Sequence, residues 1–287
     1  MDGPPHKPVL LDRVVELLRD RTTVVDMTLG AGGHAEALLG SGVGRVLGVD
    51  RDPVAVAASR ERLARFGDRF TAAVGRFSEA PELRPGAADG ILYDLGVSSM
   101  QLDRAERGFG YRAEGPLDMR MGGAGPTAAE LVNTLPEEEL TRIIFELGEE
   151  RRSRRIARAI VRARSRRPIE TTDQLARVVS GAVGRRPGGP HPARRTFQAL
   201  RIAVNRELEE LATSLPRAAG LLAPGGRIVV IAYHSLEDRI VKRFLKDEPS
   251  LRVITPKPVR PTPEEVARNP RSRSARLRAA DRTEEAA

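Results

Sequence analysis

Residues 23–50 constrain this chain more than any other stretch. Val24-Val25-Asp26 is an apolar run closed by an acid, and Met27-Thr28-Leu29 leads it into Gly30-Ala31-Gly32-Gly33. A helix-compatible segment follows, then a second apolar run, Val46-Leu47-Gly48-Val49, closed by Asp50. A strand, a glycine turn, a helix and a second strand ending in an acid make half of a nucleotide-binding βαβ unit. Small glycines let a ligand lie against the backbone. An acid about twenty residues on can accept hydrogen bonds from both ribose hydroxyls. The implied ligand is an adenosine-containing cofactor.

The rhythm continues around this unit. A lead helix is predicted over 9–20, strands over 23–29, 45–50, 69–74 and 89–95, and a helix opened by Asp52-Pro53, with the proline in its first turn. Such alternation argues for an α/β parallel sheet. The pattern breaks at 103–125, which is rich in Gly and Arg. Helices are predicted from 127 to 183 and over 194–214, one of them near 142–167, with a loop over 184–192. Leu222-Ala223-Pro224-Gly225-Gly226 then turns into a strand over 227–232. The expected organisation is one discontinuous Rossmann-like domain, 1–105 and 199–287, carrying an inserted helical domain, 106–198.

Composition narrows the chemistry. The 287 residues hold 48 Lys and Arg against 39 Asp and Glu, a net charge of +9 that favours a polyanionic partner. A basic enzyme with no nucleic-acid business is the plainer alternative. There is no cysteine, so disulfides, Cys-zinc sites and iron–sulfur clusters are excluded. The histidines, at positions 6, 34, 191 and 234, form no H-x-x-x-H pair, and no metal site is expected. No signal-peptide layout opens the chain and no apolar run approaches a membrane span. A soluble cytoplasmic protein with no membrane partner is expected.

Gly30-Ala31-Gly32-Gly33-His34-Ala35 fits G-x-G-x-x-[GA], which NAD would fit equally well. Three features favour S-adenosylmethionine. Asp26 precedes the first glycine, where it can reach a cofactor's amino-acid end. Tyr93-Asp94-Leu95-Gly96 puts an acid at the carboxyl edge of the sheet, where ligands of open α/β sheets lie. Leu222-x-Pro224-Gly225-Gly226 before a β-branched strand is a familiar methyltransferase phrase. The alternative for Asp94 is a plain cap at the strand end.

The chain resembles the 16S ribosomal RNA cytosine-N4 methyltransferases of the MraW/RsmH type. The resemblance is carried by His6-x-Pro8-Val9-Leu10-Leu11, Asp26-x-Thr28-Leu29-Gly30-x-Gly32-Gly33-His34, Asp50-Arg51-Asp52, Phe77-Ser78 and Asp94-Leu95-Gly96-Val97-Ser98-Ser99-x-Gln101-Leu102-Asp103. It continues through Arg107-Gly108-Phe109, Pro116-Leu117-Asp118-Met119-Arg120-Met121, Ala129-x-Leu131-Val132-Asn133 and Arg194-x-Thr196-Phe197-Gln198-Ala199-Leu200-Arg201. His234-Ser235-Leu236-Glu237-Asp238-Arg239 and Asn269-Pro270-Arg271-Ser272 complete it. The resemblance implies a Rossmann-like S-adenosylmethionine-dependent methyltransferase sheet with an inserted all-helical domain. It implies methylation of one cytidine amine in the decoding centre of 16S ribosomal RNA, within the small ribosomal subunit. It also implies that the segments 251–254 and 275–278 finish the sheet as antiparallel strands.

By residue match the cofactor would touch Gly32, Gly33, His34, Asp50, Phe77, Asp94 and Gln101. Each has a plainer reading: His34 as a solvated residue at a helix start, Phe77 as simple core. For catalysis Asp94 is the first candidate to accept a hydrogen bond from the cytosine amine, with Ser98 and Ser99 behind it. Here the motif reads Asp94-Leu95-Gly96-Val97 rather than the Asp/Asn-Pro-Pro-aromatic of many DNA amino-methyltransferases, so that picture does not transfer. RNA contacts are expected from Arg154, Arg155, Arg194, Arg195 and Arg120, or these arginines are only a solvated surface. Phe109 and Tyr111, on a glycine-flanked loop, would stack on the target base or anchor the loop. A homodimer is one arrangement open to the chain. Two rival functions stay open: an RNA-binding assembly factor with a vestigial cofactor site, and an NAD-dependent oxidoreductase.

Overall fold

The computed structural model describes residues 8–80, 88–111, 113–184 and 187–284. His6 of the first motif, residues 185 and 186 of the expected loop, and the Ser99 side chain lie outside the described residues. Strands β1 Thr23–Asp26, β2 Arg45–Asp50, β3 Phe70–Val74, β4 Ala88–Asp94, β5 Leu222–Ala232, β6 Leu251–Val253 and β7 Arg276–Arg282 form one seven-stranded sheet, in the order β3-β2-β1-β4-β5-β7-β6. The first five in that order run parallel, and β7 is antiparallel to β5 and β6. The helices are α1 Leu11–Leu18, α2 Gly33–Gly40, α3 Pro53–Leu63, α4 Ser99–Asp103, α5 Ala128–Thr134, α6 Glu137–Glu146, α7 Ser153–Arg164, α8 Thr172–Val183, α9 Arg194–Asn205, α10 Glu207–Leu221, α11 Ser235–Asp247 and α12 Pro263–Arg268.

Two compact units emerge, one of Met1–Ser98 with Leu208–Ala287 and one of Ser99–Glu207. In the first unit the strands are apolar on both faces, as a sheet covered on both sides requires. Val25, Leu47, Ile91, Tyr93, Ile228 and Val230 pack with Leu211 and Leu215 of α10. Val24, Val46, Leu92, Val229 and Ile231 pack on the opposite face with α1 and α2. The Asp89 carboxylate takes the N–H groups of Thr22 and Thr23, both at 2.7 Å, and so ties β1 to β4 at their amino ends. β1 is shorter than the expected 23–29. The Asp26 carboxylate takes the Thr28 N–H at 3.1 Å, an Asx-type turn that ends the strand. A register shift between Ala88 and Gly90 absorbs the Pro224-Gly225-Gly226 turn within β5.

The second unit is helical, and two expected helices are broken in it. The predicted helix near 142–167 is two helices, α6 and α7. A side chain at Gly148 would lie 2.6 Å from the Ile144 carbonyl and 2.7 Å from that of Arg195, so only glycine lets α9 pass there. Glu149 follows with φ 48°. The predicted helix over 194–214 is α9 and α10, parted at Arg206 with φ 51°. Asn205 fixes that break from within the unit, with Oδ1 accepting from Met121 N–H at 2.9 Å and Nδ2 donating to Met119 O at 2.8 Å. Because α9 packs on α5 and α6, residues 199–207 group with the helical unit and not with the sheet.

Candidate functional site

Strand order reverses between β1 and β4, and a crevice beyond the carboxyl ends of strands at such a switch point is where open α/β sheets bind ligands. Three neighbouring strands end there in acids: Asp26 on β1, Asp50 on β2 and Asp94 on β4. Asp26 is 1 % exposed, and burial pushes its carboxyl from 3.8 up to about 6. Asp50 is raised too, again chiefly by burial. Its Oδ2 accepts from Gly30 N–H at 2.8 Å and its Oδ1 from Asp52 N–H at 2.9 Å, which shapes the glycine turn. Each oxygen keeps a further lone pair for an incoming hydroxyl. Gly32 caps α2 with φ 76°, a conformation that side-chain-bearing residues rarely adopt. Gly33 begins α2 tight against Pro8.

His34 is buried, not solvated at a helix start. Its Nε2 lies 3.3 Å from Asp94 Oδ2, outside hydrogen-bond geometry, and neither ring nitrogen has a hydrogen-bond partner among the described residues. Buried polar atoms of this kind are costly unless a ligand meets them. Asp94 is held from two sides: its N–H donates to Thr28 Oγ1 at 2.6 Å, and its Oδ1 accepts from the Tyr233 hydroxyl at 2.7 Å. Phe77 opens a short 3₁₀ turn and meets Tyr93 edge-on, with centroids 5.7 Å apart. It packs half-buried against the core, so its ring is shared between core and surface. Ser98 ends this unit on the loop after β4. Orphaned imidazole nitrogens, three strand-end acids and a glycine-lined helix start fit the amino-acid, sulfonium and ribose groups of S-adenosylmethionine.

Tyr233 is the site residue the sequence hides. It follows an apolar strand with no glycine or acid beside it and stands 139 positions from Asp94. One signal was available. β4 and β5 are parallel neighbours, and Asp94 pairs with Ile231, so the first polar residue after β5 falls at the same sheet edge.

The other candidates belong to the helical unit. Gln101 lies buried on α4. Phe109 is 6 % exposed with the Arg107 guanidinium 5.9 Å from its ring centroid, so it anchors its loop and is not offered to a base. Tyr111 is half-exposed, stacked on His191 at 4.6 Å and met edge-on by Phe197. Arg120 is committed to Asp118, donating from Nε at 2.9 Å and Nη2 at 2.7 Å. Arg195 donates to the Glu149 carbonyl at 2.8 Å and so closes the break after α6. Arg154, Arg155 and Arg194 are exposed and have no ion pair among the described residues.

The sequence pattern of the MraW methylase family matches residues 4–283. The chain is 52% identical to a ribosomal RNA small subunit methyltransferase H of Methylobacterium sp. (strain 4-46), covering 99% of this chain and 93% of that protein. It is 52% identical to a protein of the same name from Xanthobacter autotrophicus, over 97% of this chain and 87% of that one. Among solved structures, an rRNA methylase from Streptococcus thermophilus shares 11% identity, with a TM-score of 0.46 over 95% of this chain and 93% of that chain.

Proposed function

The chain belongs to the MraW methylase family, and on that premise we propose that it methylates the exocyclic N4 of one cytidine in the decoding centre, the P site, of 16S ribosomal RNA. At the coarser level it is an S-adenosylmethionine-dependent methyltransferase of small-subunit ribosomal RNA. The observation that carries the choice of atom is the absence of cysteine. Methylation at ring carbon five is ordinarily driven by a cysteine that attacks the ring, whereas the amine needs no nucleophile from the protein.

When bound, S-adenosylmethionine supplies an electrophilic methyl group. Gly32, Gly33 and His34 take its methionine portion, Asp50 its ribose hydroxyls and Phe77 its adenine, with Gln101 and Asp94 completing the contacts. The cytosine amine is a poor nucleophile because its lone pair is delocalised into the ring. The protein's task is to align that nitrogen and accept a hydrogen bond from its protons. Asp94 is the acceptor, with Oδ1 held by Tyr233 and Oδ2 on the side of His34. Ser98 stands behind it. The cytidine leaves its stack to react. Arg154, Arg155 and Arg194, exposed and unpaired, hold phosphates, and Tyr111 offers a half-exposed ring to a base. The reaction belongs to the cytoplasm, where small subunits are assembled.

Labelled S-adenosylmethionine and small subunits lacking the modification provide the test. After transfer, the RNA is digested and the labelled nucleoside identified and mapped. Label in N4-methylcytidine at a single decoding-centre position is expected. Label in 5-methylcytidine, or none, overturns the reading.

A further inference from the structure

The loop after β5 grips the acid at the end of β4. Tyr233 is fixed at its backbone, where its N–H donates to Glu237 Oε2 at 2.8 Å, and Glu237 is itself 3 % exposed. The His234 N–H reaches the same oxygen at 3.2 Å. Tyr233 packs beside the apolar cluster under α1 and α2. Its hydroxyl then donates to Asp94 Oδ1 at 2.7 Å. Burial pushes the phenol's pKa up, as does the nearby Asp94 charge, so the hydroxyl stays a donor. The two oxygens of Asp94 are thereby made inequivalent. One is occupied by the half-buried phenol of Tyr233, whose own backbone is tied to Glu237. The other lies 3.3 Å from the buried His34 Nε2 and makes no hydrogen bond with it.

We propose that Tyr233 is a positioning residue for methyl transfer: it fixes Asp94 through Oδ1, so that Oδ2 is the oxygen that meets the cytosine amine. A carboxylate free to rotate about its last bond would present that oxygen only part of the time. A donor on the opposite oxygen removes this freedom without spending the acceptor the reaction needs. The inference rests on the reading of Asp94 as the acceptor.

Tyr233→Phe keeps the ring and deletes one hydroxyl. With saturating cofactor and undermethylated small subunits, kcat should fall about tenfold to a hundredfold, the usual scale for a hydrogen bond to a charged group. KM for S-adenosylmethionine, and the affinity for S-adenosylhomocysteine by calorimetry, should stay near wild type. A merely structural role would move those instead. The double variant Asp94→Asn/Tyr233→Phe should be no slower than Asp94→Asn alone, because the hydroxyl acts through that carboxylate. A wild-type kcat in Tyr233→Phe, a loss confined to KM, or a full additional loss in the double variant overturns the proposal. Should Asp94→Asn alone keep the wild-type rate, the reading of Asp94 falls and this inference with it. An impaired Asp94→Asn beside an unimpaired Tyr233→Phe sinks the inference alone.

Discussion

Asp26 shows what a single residue at this site costs. Its carboxyl rises from 3.8 to about 6 because burial disfavours the charged form. The folded state therefore holds the proton more tightly than the unfolded chain. Between about pH 4 and about pH 6 it binds more protons, so stability falls as pH rises through that window and stays lower above it. A gap of about two units corresponds to roughly 3 kcal/mol at most. Asp26→Asn keeps the Oδ1 acceptor for Thr28 and removes the charge. It should be more stable than wild type near neutral pH, with the difference shrinking to nothing by about pH 4. Urea midpoints across that range measure it, and a pH-independent difference would refute the account. The same variant should bind S-adenosylhomocysteine more weakly, since a buried charge this expensive is repaid by the ammonium group at the ligand's amino-acid end. Asp26, Asp50 and Asp94 were legible in sequence because each closes an apolar run. Tyr233 was not, because its partner is set by the pairing of strands distant in the chain.

Among the elements, α7 separates structural from available arginines. Ser153, Ile156, Ala157 and Ile160 bury one face of it, while Arg154, Arg155, Arg158 and Arg162 stand on the other. Arg158 lies 3.6 Å from Glu137, whereas Arg154 and Arg155 have no acidic partner among the described residues. Arg152 and Arg164 instead donate to the carbonyls of Val183 and Val132, both at 2.7 Å, and act as helix-end caps. An arginine-rich run read from sequence cannot be sorted this way, because carbonyl caps and free cations have the same composition. If α7 follows a phosphate backbone, Arg154→Ala/Arg155→Ala should lower the slope of log affinity against log salt by about 2 for a duplex site. Arg142→Ala, whose guanidinium is already paired with Glu139, should leave the slope unchanged. Filter binding to small subunits at several salt concentrations separates the two, and equal slopes for all three proteins would leave α7 a solvated face. The helix breaks divide similarly. Gly148 announces the first, whereas nothing local marks Arg206, where the break is imposed by the contacts of Asn205 with residues 119 and 121.

On the scale of the whole molecule, the chain joins one continuous helical unit, Ser99–Glu207, to a sheet unit assembled from both of its ends. The helical unit carries its own capping boxes at Thr127 and Thr171 and its own buried residues, among them Leu140, Ile144, Ile156, Leu175 and Leu200. The sheet unit holds the acids and glycines assigned to the cofactor. A ligand that binds only the folded form stabilises what it touches by mass action, about 2.7 kcal/mol at a hundredfold excess over Kd. Saturation with S-adenosylhomocysteine should therefore slow amide exchange about a hundredfold in 26–34, 50–52 and 94–98, where opening must release the ligand. The α4 segment around Gln101 should follow, because that residue is assigned to the same ligand. The cores of α6, α7 and α8 should exchange at unchanged rates if the helical unit opens on its own. Hydrogen exchange read by mass spectrometry resolves these segments in one experiment. Equal slowing throughout α6–α8 would mean that the two units open as one, and would extend the cofactor's stabilising influence to the helical unit as well as the sheet.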